Sequence, residues 1–452
     1  MPARGTVGWV DVLHAAKLRR RTSKLLQFVR GATFGRGALR GRFRLPGDKS
    51  ISHRALIVAA LSDKPVEIRN LNGGRDVAAT AAALRSLGAR VTSSGELTVV
   101  QGGSLHDPAA TLECENSGST ARMMMGVCAG AALRAHFDGD ASLRRRLMEP
   151  IAAQLRAFGA RLETTNGYLP ATLDGPTRPQ TRRFILLTPS AQIKSALLFA
   201  GLFANVPVAT LADPGSRDHT ERLLRYLGAD IASDRATVEL RSRPKNFRPI
   251  EIPGDFSTAA AFITAATIAP QSAVIVESVG VNPTRTGLLD ALEAMGGRIS
   301  LERRRDACGE SVADIAVESA QLRGVSFGSE LALRSMDELL LLAVAAAHAD
   351  GNTTIAGVRE LRAKESDRLS ALARLLSAAG IETETEANSV VIRGGQPDAT
   401  GALVETLGDH RVAMGAAALA AAGGPLSIDD ADCIAISAPN FLDVWPLTLT
   451  QG

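Results

Sequence analysis

The stretch Leu84-Arg-Ser-Leu-Gly-Ala-Arg-Val91 decides how this chain is organised, because its pattern returns along the sequence. A helix-like run that ends in Leu is followed by Gly and then by a short β-like run. Glycine after a helix supplies the left-handed conformation that ends it, so the chain can leave as a strand. The same pattern is found at four further positions: Leu155–Leu162, Leu224–Ile231, Leu292–Ile299 and Leu376–Thr383.

The glycines of these five stretches are 71, 69, 68 and 84 residues apart. This period is too long for a solenoid repeat and suits a small α/β subdomain. A degenerate sixth copy is predicted at Leu419–Ile428. Three copies precede a Pro-rich crossover at Pro244–Pro253, and the others follow it. One copy would be ordinary α/β sequence, but five near-regular copies predict an internally repeated α/β fold.

Charge is distributed unevenly along the 452 residues. The formal charge is +4, but residues 1–44 contain eleven Lys and Arg against one Asp, which gives +10 there and −6 for residues 45–452. An acidic body argues against a nucleic-acid surface spread over the fold. The longest apolar run, Leu339–Ala347, is far shorter than the ~20 residues needed to cross a bilayer. Four scattered Cys without a CxxC pair indicate a reducing compartment, with neither a disulfide framework nor a zinc site.

The clearest candidate site is Pro46–Ala55, which reads PGDKSISHRA. Pro-Gly ends the preceding strand, and Ser50 or Ser52 is expected to cap a helix. Lys49 then lies just before the helix N-terminus and Arg54 about one turn into it. Free N–H groups, the helix dipole and two cations favour an anion there. The alternative is a capped helix with solvated basic residues.

Small polar residues open further apolar helices. In Asn116–Arg122, Gly118 allows close approach of a ligand to the backbone. Two of the three arginines at 144–146 are expected on a solvated face. Hydroxyl, amide and basic groups in Ser190–Ala196 and Ser216–Thr220 could bind a polyhydroxylated anion.

The second half of the chain places acids beside its cations. For Lys364, Glu365 and Arg368 the alternative is an exposed set of helical ion pairs, worth only ~0.3–0.5 kcal/mol per pair. Asp409 is expected as a helix N-cap and Asp337 as an acid at a helix start. The sequence shows no Ser-His-Asp arrangement and no metal-ligand spacing.

Over about residues 40–445, these segments in this order resemble the enolpyruvyl transferase family of 5-enolpyruvylshikimate-3-phosphate synthases. The motifs that carry the resemblance are PGDKSISHRA at 46–55, NSGSTAR at 116–122, SAQIKSA at 190–196, RDHTE at 217–221, MDE at 336–338, RAKESDRL at 362–369 and GDHR at 408–411. The resemblance implies an α/β fold of two similar domains, each of three βαβαββ units, with the active-site cleft between them. The implied boundaries are a basic N-terminal extension at 1–40, a joining strand at 41–48, and domains at 49–252 and 253–452.

The family reaction transfers the enolpyruvyl group of phosphoenolpyruvate to the 5-hydroxyl of shikimate 3-phosphate and releases phosphate. It belongs to the shikimate pathway, which leads to chorismate and the aromatic amino acids. Both substrates carry phosphate and carboxylate, so the chemistry needs fixed cations and neither a metal nor a cofactor. The resemblance implies a cytoplasmic monomer whose partners are these two small molecules, with no nucleic acid and no membrane among them.

The resemblance also implies roles for single residues. Asp337 resembles the carboxylate that deprotonates the 5-hydroxyl, Glu365 resembles the acid that protonates the methylene carbon, and Lys49 is the alternative proton carrier. The implied shikimate 3-phosphate site consists of Lys49, Ser50, Arg54, Ser190, Ala191, Gln192, Arg217, Asp337 and Lys364. The implied phosphoenolpyruvate site consists of Lys49, Gly118, Arg146, Gln192, Arg368 and Arg411, with Asn116 and Arg122 supporting its loop. A general acid among cations needs a raised pKa, which exclusion of water on domain closure could provide.

Two other functions stay open. The sister transferase that acts on UDP-N-acetylglucosamine uses a Lys-Asn pair where this chain has Lys49-Ser50. It also uses a loop cysteine, whereas Cys114 lies in a strand-like position two residues before Asn116. A non-catalytic anion-binding or nucleic-acid-binding protein, led by the basic N-terminus, would leave the seven motifs unexplained.

Overall fold

The computed structural model describes residues 31–450, apart from residues 177, 181, 187–189, 213–214 and 235. Residues 1–30 of the predicted basic extension at 1–40 lie outside the described residues. Its last part belongs to the fold, because strand Ala32–Phe34 pairs with Leu426–Ile428. The joining strand predicted at 41–48 is found at Ala38–Arg44. The boundary at 40 is therefore wrong, and the fold begins before it.

Helices of two to four turns form the buried layers of the molecule. Numbered in chain order within the described residues, they are α1 (Lys49–Ala59), α2 (Arg75–Ser86), α3 (Gly118–Gly130), α4 (Glu149–Phe158), α5 (Ala191–Ala204), α6 (His219–Tyr226), α7 (Phe256–Ile268), α8 (Gly287–Ala294), α9 (Ser329–Arg334), α10 (Leu339–Ala347), α11 (Arg368–Ser377), α12 (His410–Gly423) and α13 (Phe441–Thr448). Short 3₁₀ turns lie at Leu143–Arg145, Arg359–Ala363 and Asp432–Ile436.

The described strands form six small sheets, three in each half of the chain. In sheet order, those of the first half are Ile250–Glu251, Val66–Arg69, Leu97–Gln101 and Arg90–Ser94; Leu112–Glu113, Arg134–Asp138, Tyr168–Asp174 and Arg161–Thr165; and Arg183–Ile185, Val208–Leu211, Val238–Leu240 and Ile231–Ser233. Those of the second half are Arg298–Ala307, Glu310–Glu318, Ala273–Gly280, Ala38–Arg44 and Leu449–Thr450; Ser326–Phe327, Asn352–Ala356, Ser389–Arg393 and Thr383–Thr385; and Ala32–Phe34, Leu426–Ile428 and Leu403–Val404.

The unit that begins at Leu112 shows the repeated topology most plainly. Strand Leu112–Glu113, α3, strand Arg134–Asp138 and α4 lead into an antiparallel hairpin, and the first two strands are parallel. This is a βαβαββ unit. The helices before the repeated glycines end in the left-handed conformation, with φ of +99° at Gly88, +115° at Gly159, +78° at Gly228, +100° at Gly296 and +75° at Gly380. The predicted α/β fold of two similar domains is confirmed.

The sixth unit is built differently, which explains its weak sequence signal. Strand Leu403–Val404, α12 and strand Leu426–Ile428 form its beginning. Where other units continue into a hairpin, this sheet is completed by Ala32–Phe34. The chain then continues through α13 to strand Leu449–Thr450, which pairs with Ala38–Arg44.

Two Pro-Gly-Asp segments, at 46–48 and 253–255, carry the chain between the halves and are hydrogen-bonded to each other. The backbone N–H of Asp48 donates to the Pro253 carbonyl at 2.8 Å, and that of Asp255 donates to the Pro46 carbonyl at 2.9 Å. The two crossings therefore form one paired strip of backbone.

Each aspartate of this strip also caps the helix that follows. The Asp48 carboxylate accepts from the N–H of Ile51, and the Asp255 carboxylate accepts from the N–H of Thr258. The prediction that Ser50 or Ser52 caps α1 is wrong, because Asp48 occupies the N-cap. A carboxylate satisfies the open N–H groups and also complements the helix dipole.

Two hydrophobic clusters divide the core. One extends from Ile51 to Ile252 with Cys308 added, and the other combines Phe34–Leu45 with Phe256–Trp445. The domain boundaries at 49–252 and 253–452 stay a prediction, which this division supports. No helix of the described residues is long and apolar enough to span a membrane, and the apolar run of α10 is completely buried.

Candidate active site

A cavity of about 420 Å³ is lined by residues of both halves. Its size lies within the usual range for small-molecule sites. Six helices begin at its wall, since the first residues of α1, α3, α5, α6, α11 and α12 all line it. Open N–H groups and the positive ends of the helix dipoles make such a wall suited to anions.

The structure brings nearly all the predicted site residues to this cavity. Its lining includes Lys49, Ser50, Arg54, Gly118, Arg122, Arg146, Ser190, Ala191, Gln192, Arg217, Asp337, Lys364, Glu365, Arg368 and Arg411. Asn116 lies behind the wall, where its Oδ1 accepts from Nη2 of Arg146 at 2.5 Å. Among the three arginines at 144–146, the first two are exposed and Arg146 faces the cavity.

One end of the cavity is formed by α1, α5 and α6 around Arg54. The Arg54 guanidinium is 4% exposed; its Nε donates to Thr220 Oγ1 at 2.8 Å and its Nη2 to Ser195 Oγ at 3.0 Å. Burial lowers the pKa of Arg54 to about 10, which leaves it protonated at neutral pH. Arg54 is therefore a fixed cation held by two hydroxyl groups.

A second group of side chains surrounds the start of α3. Nη1 of Arg122 donates to Oε1 of Gln192 at 2.7 Å, and Nε2 of Gln192 donates to Ser119 Oγ at 3.0 Å. Burial, and then the neighbouring cation Arg146, lower the pKa of Arg122 to about 10. The network fixes the Gly118–Ser119 turn from two sides.

The second half contributes two buried arginines from α11 and α12. Arg368 is 3% exposed and forms a bidentate pair with Asp409, at 2.8 Å from Nε and 3.2 Å from Nη2. Arg411 is 6% exposed, and its Nε and Nη1 have no hydrogen-bond partner among the described residues. A buried guanidinium with unsatisfied donors at a cavity wall is suited to an incoming anion.

These positions exclude the alternative reading of Lys364, Glu365 and Arg368 as an exposed helical ion-pair set. The helix begins only at Arg368, so Lys364 and Glu365 precede it. Arg368 is buried, and Glu365 lies 2.5 Å from its Nη2 and 3.5 Å from Nη1 of Arg146. Glu365 therefore joins cations from both halves of the molecule.

Asp337 faces the same cavity from the loop before α10. Its carboxylate lies 2.7 Å from Nη1 of Arg217 and 3.5 Å from Nη1 of Arg368. Burial would raise the pKa of Asp337, but Arg217 and then Lys364 outweigh it and hold that pKa well below its ordinary value. Asp337 is therefore ionised at neutral pH.

Glu365 is ionised as well in this arrangement. Burial favours the protonated form, but Arg368 and Arg146 hold the pKa of Glu365 well below its usual range. The raised pKa that a general acid needs is therefore not a property of the protein groups alone. Anions that neutralise Arg146 and Arg368 would move this pKa upward.

Sequence reasoning missed several residues of the cavity wall. Asp76, at the start of α2, accepts from Nζ of Lys49 at 3.0 Å. His410 lines the cavity, and burial and then Arg411 hold its pKa well below the ordinary histidine value, so its ring is neutral. Asp409 lies outside the cavity lining and was expected only as an N-cap; it caps α12 and also binds Arg368, which does line the cavity. For Asp76, the Gly-Gly pair directly before its helix was an available signal.

Cys114, four residues before Gly118, lies in an environment that makes its thiol unreactive. Cys114 is completely buried, directly after strand Leu112–Glu113. Burial, followed by the charge of Glu113, raises the pKa of its thiol to about 12. A thiol of this kind is inert at neutral pH.

Comparison with known proteins gives a consistent result. The profile of the family described as EPSP synthase (3-phosphoshikimate 1-carboxyvinyltransferase) matches residues 34–445. The 3-phosphoshikimate 1-carboxyvinyltransferase of Gloeobacter violaceus is 44% identical over 420 residues, which cover 90% of this chain and 95% of that protein. The enzyme of the same name from an Anaeromyxobacter species is 42% identical over 411 residues, with the same two coverages.

Solved structures agree with the sequence relatives. The EPSP synthase of Acinetobacter baumannii superposes with a TM-score of 0.81 at 33% identity, covering 93% of this chain and 98% of that one. The enolpyruvyl transferase NikO of Streptomyces tendae has a TM-score of 0.69 at 18% identity and covers 92% of this chain and 96% of that one, so it shares the fold.

Proposed function

This chain belongs to the EPSP synthase family, and we propose that its cavity transfers the enolpyruvyl group of phosphoenolpyruvate to the 5-hydroxyl of shikimate 3-phosphate. The products are 5-enolpyruvylshikimate 3-phosphate and phosphate. The observation that carries this proposal is the meeting of seven separate motifs, with their cations and two carboxylates, around one cavity.

The cations fall into two groups that suit two small anions. Shikimate 3-phosphate is assigned to Ser50, Arg54, Ser190, Ala191, Gln192, Arg217 and Lys364. Phosphoenolpyruvate is assigned to Gly118, Arg146, Gln192, Arg368 and Arg411, with Lys49 between the two substrates and Asn116 and Arg122 behind the loop. The unsatisfied donors of Arg411 and the buried guanidinium of Arg54 support this division.

The carboxylates divide the proton transfers. Asp337 takes the proton of the 5-hydroxyl while that oxygen bonds to C2 of phosphoenolpyruvate. Glu365, or Lys49 in its place, gives a proton to the methylene carbon, and a tetrahedral adduct results. Phosphate then leaves, and a proton of the new methyl group returns to the group that donated it, which restores the double bond.

The low pKa of Asp337 keeps it in the basic form that the first step requires. Glu365 must instead be protonated to act as the acid. Phosphoenolpyruvate brings a phosphate and a carboxylate to Arg146 and Arg368, the cations that hold the pKa of Glu365 down. Substrate binding would thus convert Glu365 into an acid at the moment when one is needed.

The substrate itself can be tested directly. Phosphate release from phosphoenolpyruvate should occur with shikimate 3-phosphate and not with UDP-N-acetylglucosamine. The buried Cys114, with its raised pKa, supports this preference, since the sister transferase uses a loop cysteine. No phosphate release with shikimate 3-phosphate would refute the proposal.

The two carboxylates can be tested by substitution. Asp337→Asn and Glu365→Gln should each lower kcat about 10²–10⁴-fold, the usual worth of a general base or acid. The matched controls Asp350→Asn and Glu382→Gln change exposed carboxyl groups outside the cavity and should leave kcat as it is. Full turnover in Glu365→Gln would assign its proton transfer to another group.

We further propose that the protein works as a monomer in the cytoplasm and binds no nucleic acid. Light scattering should then give a mass near 47.3 kDa. Nucleic-acid binding that disappears with salt and on deletion of residues 1–30 would favour the anion-binding alternative. The deletion stops at residue 30 because Ala32–Phe34 belongs to a sheet.

A further inference from the structure

Arg285 is a buried cation that the proposed reaction does not use. It lies in the second half, two residues before α8, and its side chain lines the cavity and is 3% exposed. Its Cζ atom lies over the ring of Phe256, 5.8 Å from the ring centroid. A charge in such a place needs partners, because burial without them is costly.

Its partners come from both halves of the molecule. Nη1 lies 2.5 Å from Oδ2 of Asp48, which belongs to the first Pro-Gly-Asp crossing. Nη2 donates to Oγ of Ser257 at 2.6 Å and lies 3.8 Å from Oε1 of Glu338. Ser257 in turn donates to the same oxygen of Glu338. Asp48 and Glu338 are both essentially inaccessible to solvent.

The two carboxylates that Arg285 contacts, those of Asp48 and Glu338, are each adjacent in sequence to a residue with a proposed catalytic role. Asp48 directly precedes Lys49, and Glu338 directly follows Asp337. Asp48 also fixes the first turn of α1 through the N–H of Ile51 at 2.9 Å. One guanidinium therefore binds the neighbour of each of two catalytic groups, and these two groups stand on opposite halves.

We propose that Arg285 is a positioning residue that sets the distance and orientation between Lys49 and Asp337 across the two halves. The inference rests on the proposed roles of Lys49 and Asp337. Buried ion networks of this type contribute little net stability but fix a geometry. Small misplacements of reacting groups cost rate far more than they cost binding.

The first test is Arg285→Gln in the full chain. We expect kcat to fall about 100-fold, as for a misplacement of about 1 Å, while KM for each substrate changes by less than about threefold. Arg285→Lys keeps a charge near Asp48 and should recover about tenfold of the lost kcat. The matched control Arg334→Gln breaks a partly exposed pair with Asp290 in the same half and should leave kcat unchanged.

A second set of variants guards against loss of folding. Arg285→Gln leaves two buried carboxylates without their cation, so the triple variant Asp48→Asn, Arg285→Gln, Glu338→Gln removes all three charges together. Asn still caps a helix. We expect this variant to fold, as shown by cooperative thermal unfolding, and still to lose kcat about 100-fold.

Coupling supplies a readout that a purely structural role would not give. Asp48→Asn and Arg285→Gln should each lower kcat, and the double variant should lose no more than the worse single variant, because both break the same link. Three results would each overturn the inference. The kcat losses of the two single variants could multiply in the double variant, the folded triple variant could keep the wild-type kcat, or Arg285→Gln could change KM alone. If Asp337→Asn kept full turnover, the proposed role of Asp337 would fail instead, whereas absence of phosphate release in the unmodified protein would refute the proposed function itself.

Discussion

At the scale of single residues, Gly118 is a position of the cavity wall with little room for a side chain. A Cβ atom at this position would lie 2.6 Å from Nη1 of Arg122 and 3.4 Å from Nη1 of Arg146. Gly118→Ala should therefore displace these cations and raise KM for phosphoenolpyruvate about tenfold or more, equivalent to about 1.4 kcal/mol of binding, with a smaller effect on shikimate 3-phosphate. Steady-state kinetics with each substrate varied in turn would measure this.

Gly328→Ala is the control for that change. Gly328 has open space where a Cβ would be built, and its φ of −84° is accessible to alanine. Its kinetic constants should match those of the wild type. Equal KM values in both variants would show that the Gly118 turn does not carry the phosphoenolpyruvate site.

Arg217 should control the pH dependence of the reaction. Burial alone would raise the pKa of Asp337, and Arg217 is the strongest of the cations that lower it. Arg217→Gln should therefore raise the pKa of Asp337. Asp337 is a base only when ionised, so the acidic limb of kcat/KM, which reports the free enzyme, should then move to higher pH. Arg225→Gln changes an exposed arginine of α6, the helix that follows Arg217, and should leave the profile in place.

The sequence predicted which side chains line the cavity better than it predicted their states. Cations at helix starts are visible in a sequence, because spacing and capping residues mark them. The pairing of Arg368 with Asp409 and of Lys49 with Asp76 depends on contacts 41 and 27 residues apart in sequence. Such contacts have no local signature, and neither does the low pKa of Glu365 that results from them.

At the scale of elements, the two Pro-Gly-Asp crossings look alike but tolerate change differently. A Cβ at Gly47 would lie 1.8 Å from the carbonyl oxygen of Asn70, whereas one at Gly254 would lie 3.3 Å from the Ser278 carbonyl oxygen. Gly47→Ala should cost about 3 kcal/mol or more of unfolding free energy, since backbone must move, and Gly254→Ala less than about 1.5 kcal/mol. Chemical denaturation of both variants would compare them, and equal costs would contradict the close approach at Gly47.

The helices also show why the glycines that end the repeats were predictable from the sequence and the N-cap of α1 was not. Glycine after a helix is a local signal, and Gly88 and Gly159 adopt the conformation that it predicts. Two serines in α1 suggested a cap, yet Asp48 occupies the N-cap and also accepts a hydrogen bond from Arg285, 237 residues away. Tertiary contacts decided between local candidates of similar strength.

At the scale of the whole molecule, the N-terminal basic segment and the catalytic body should be separable. Deleting residues 1–30 removes seven of the eleven basic residues counted before residue 45 and should leave kcat and both KM values within about twofold. Deleting residues 1–36 also removes Ala32–Phe34, which pairs with Leu426–Ile428 beside the helix of Arg411. That longer deletion should lower the melting temperature measurably; equal melting temperatures would contradict a structural role for this strand.

The two strands nearest the start of the fold have a consequence for how the protein is made. Ala32–Phe34 pairs with residues 426–428, and Ala38–Arg44 pairs with residues 273–280 and 449–450. During translation these two strands therefore emerge from the ribosome long before their partner strands have been synthesised. The half that spans residues 49–252 can be completed as soon as Ile250–Glu251 has emerged. The other half must wait until residues 449–450 have emerged, with unpaired strand edges exposed in the meantime.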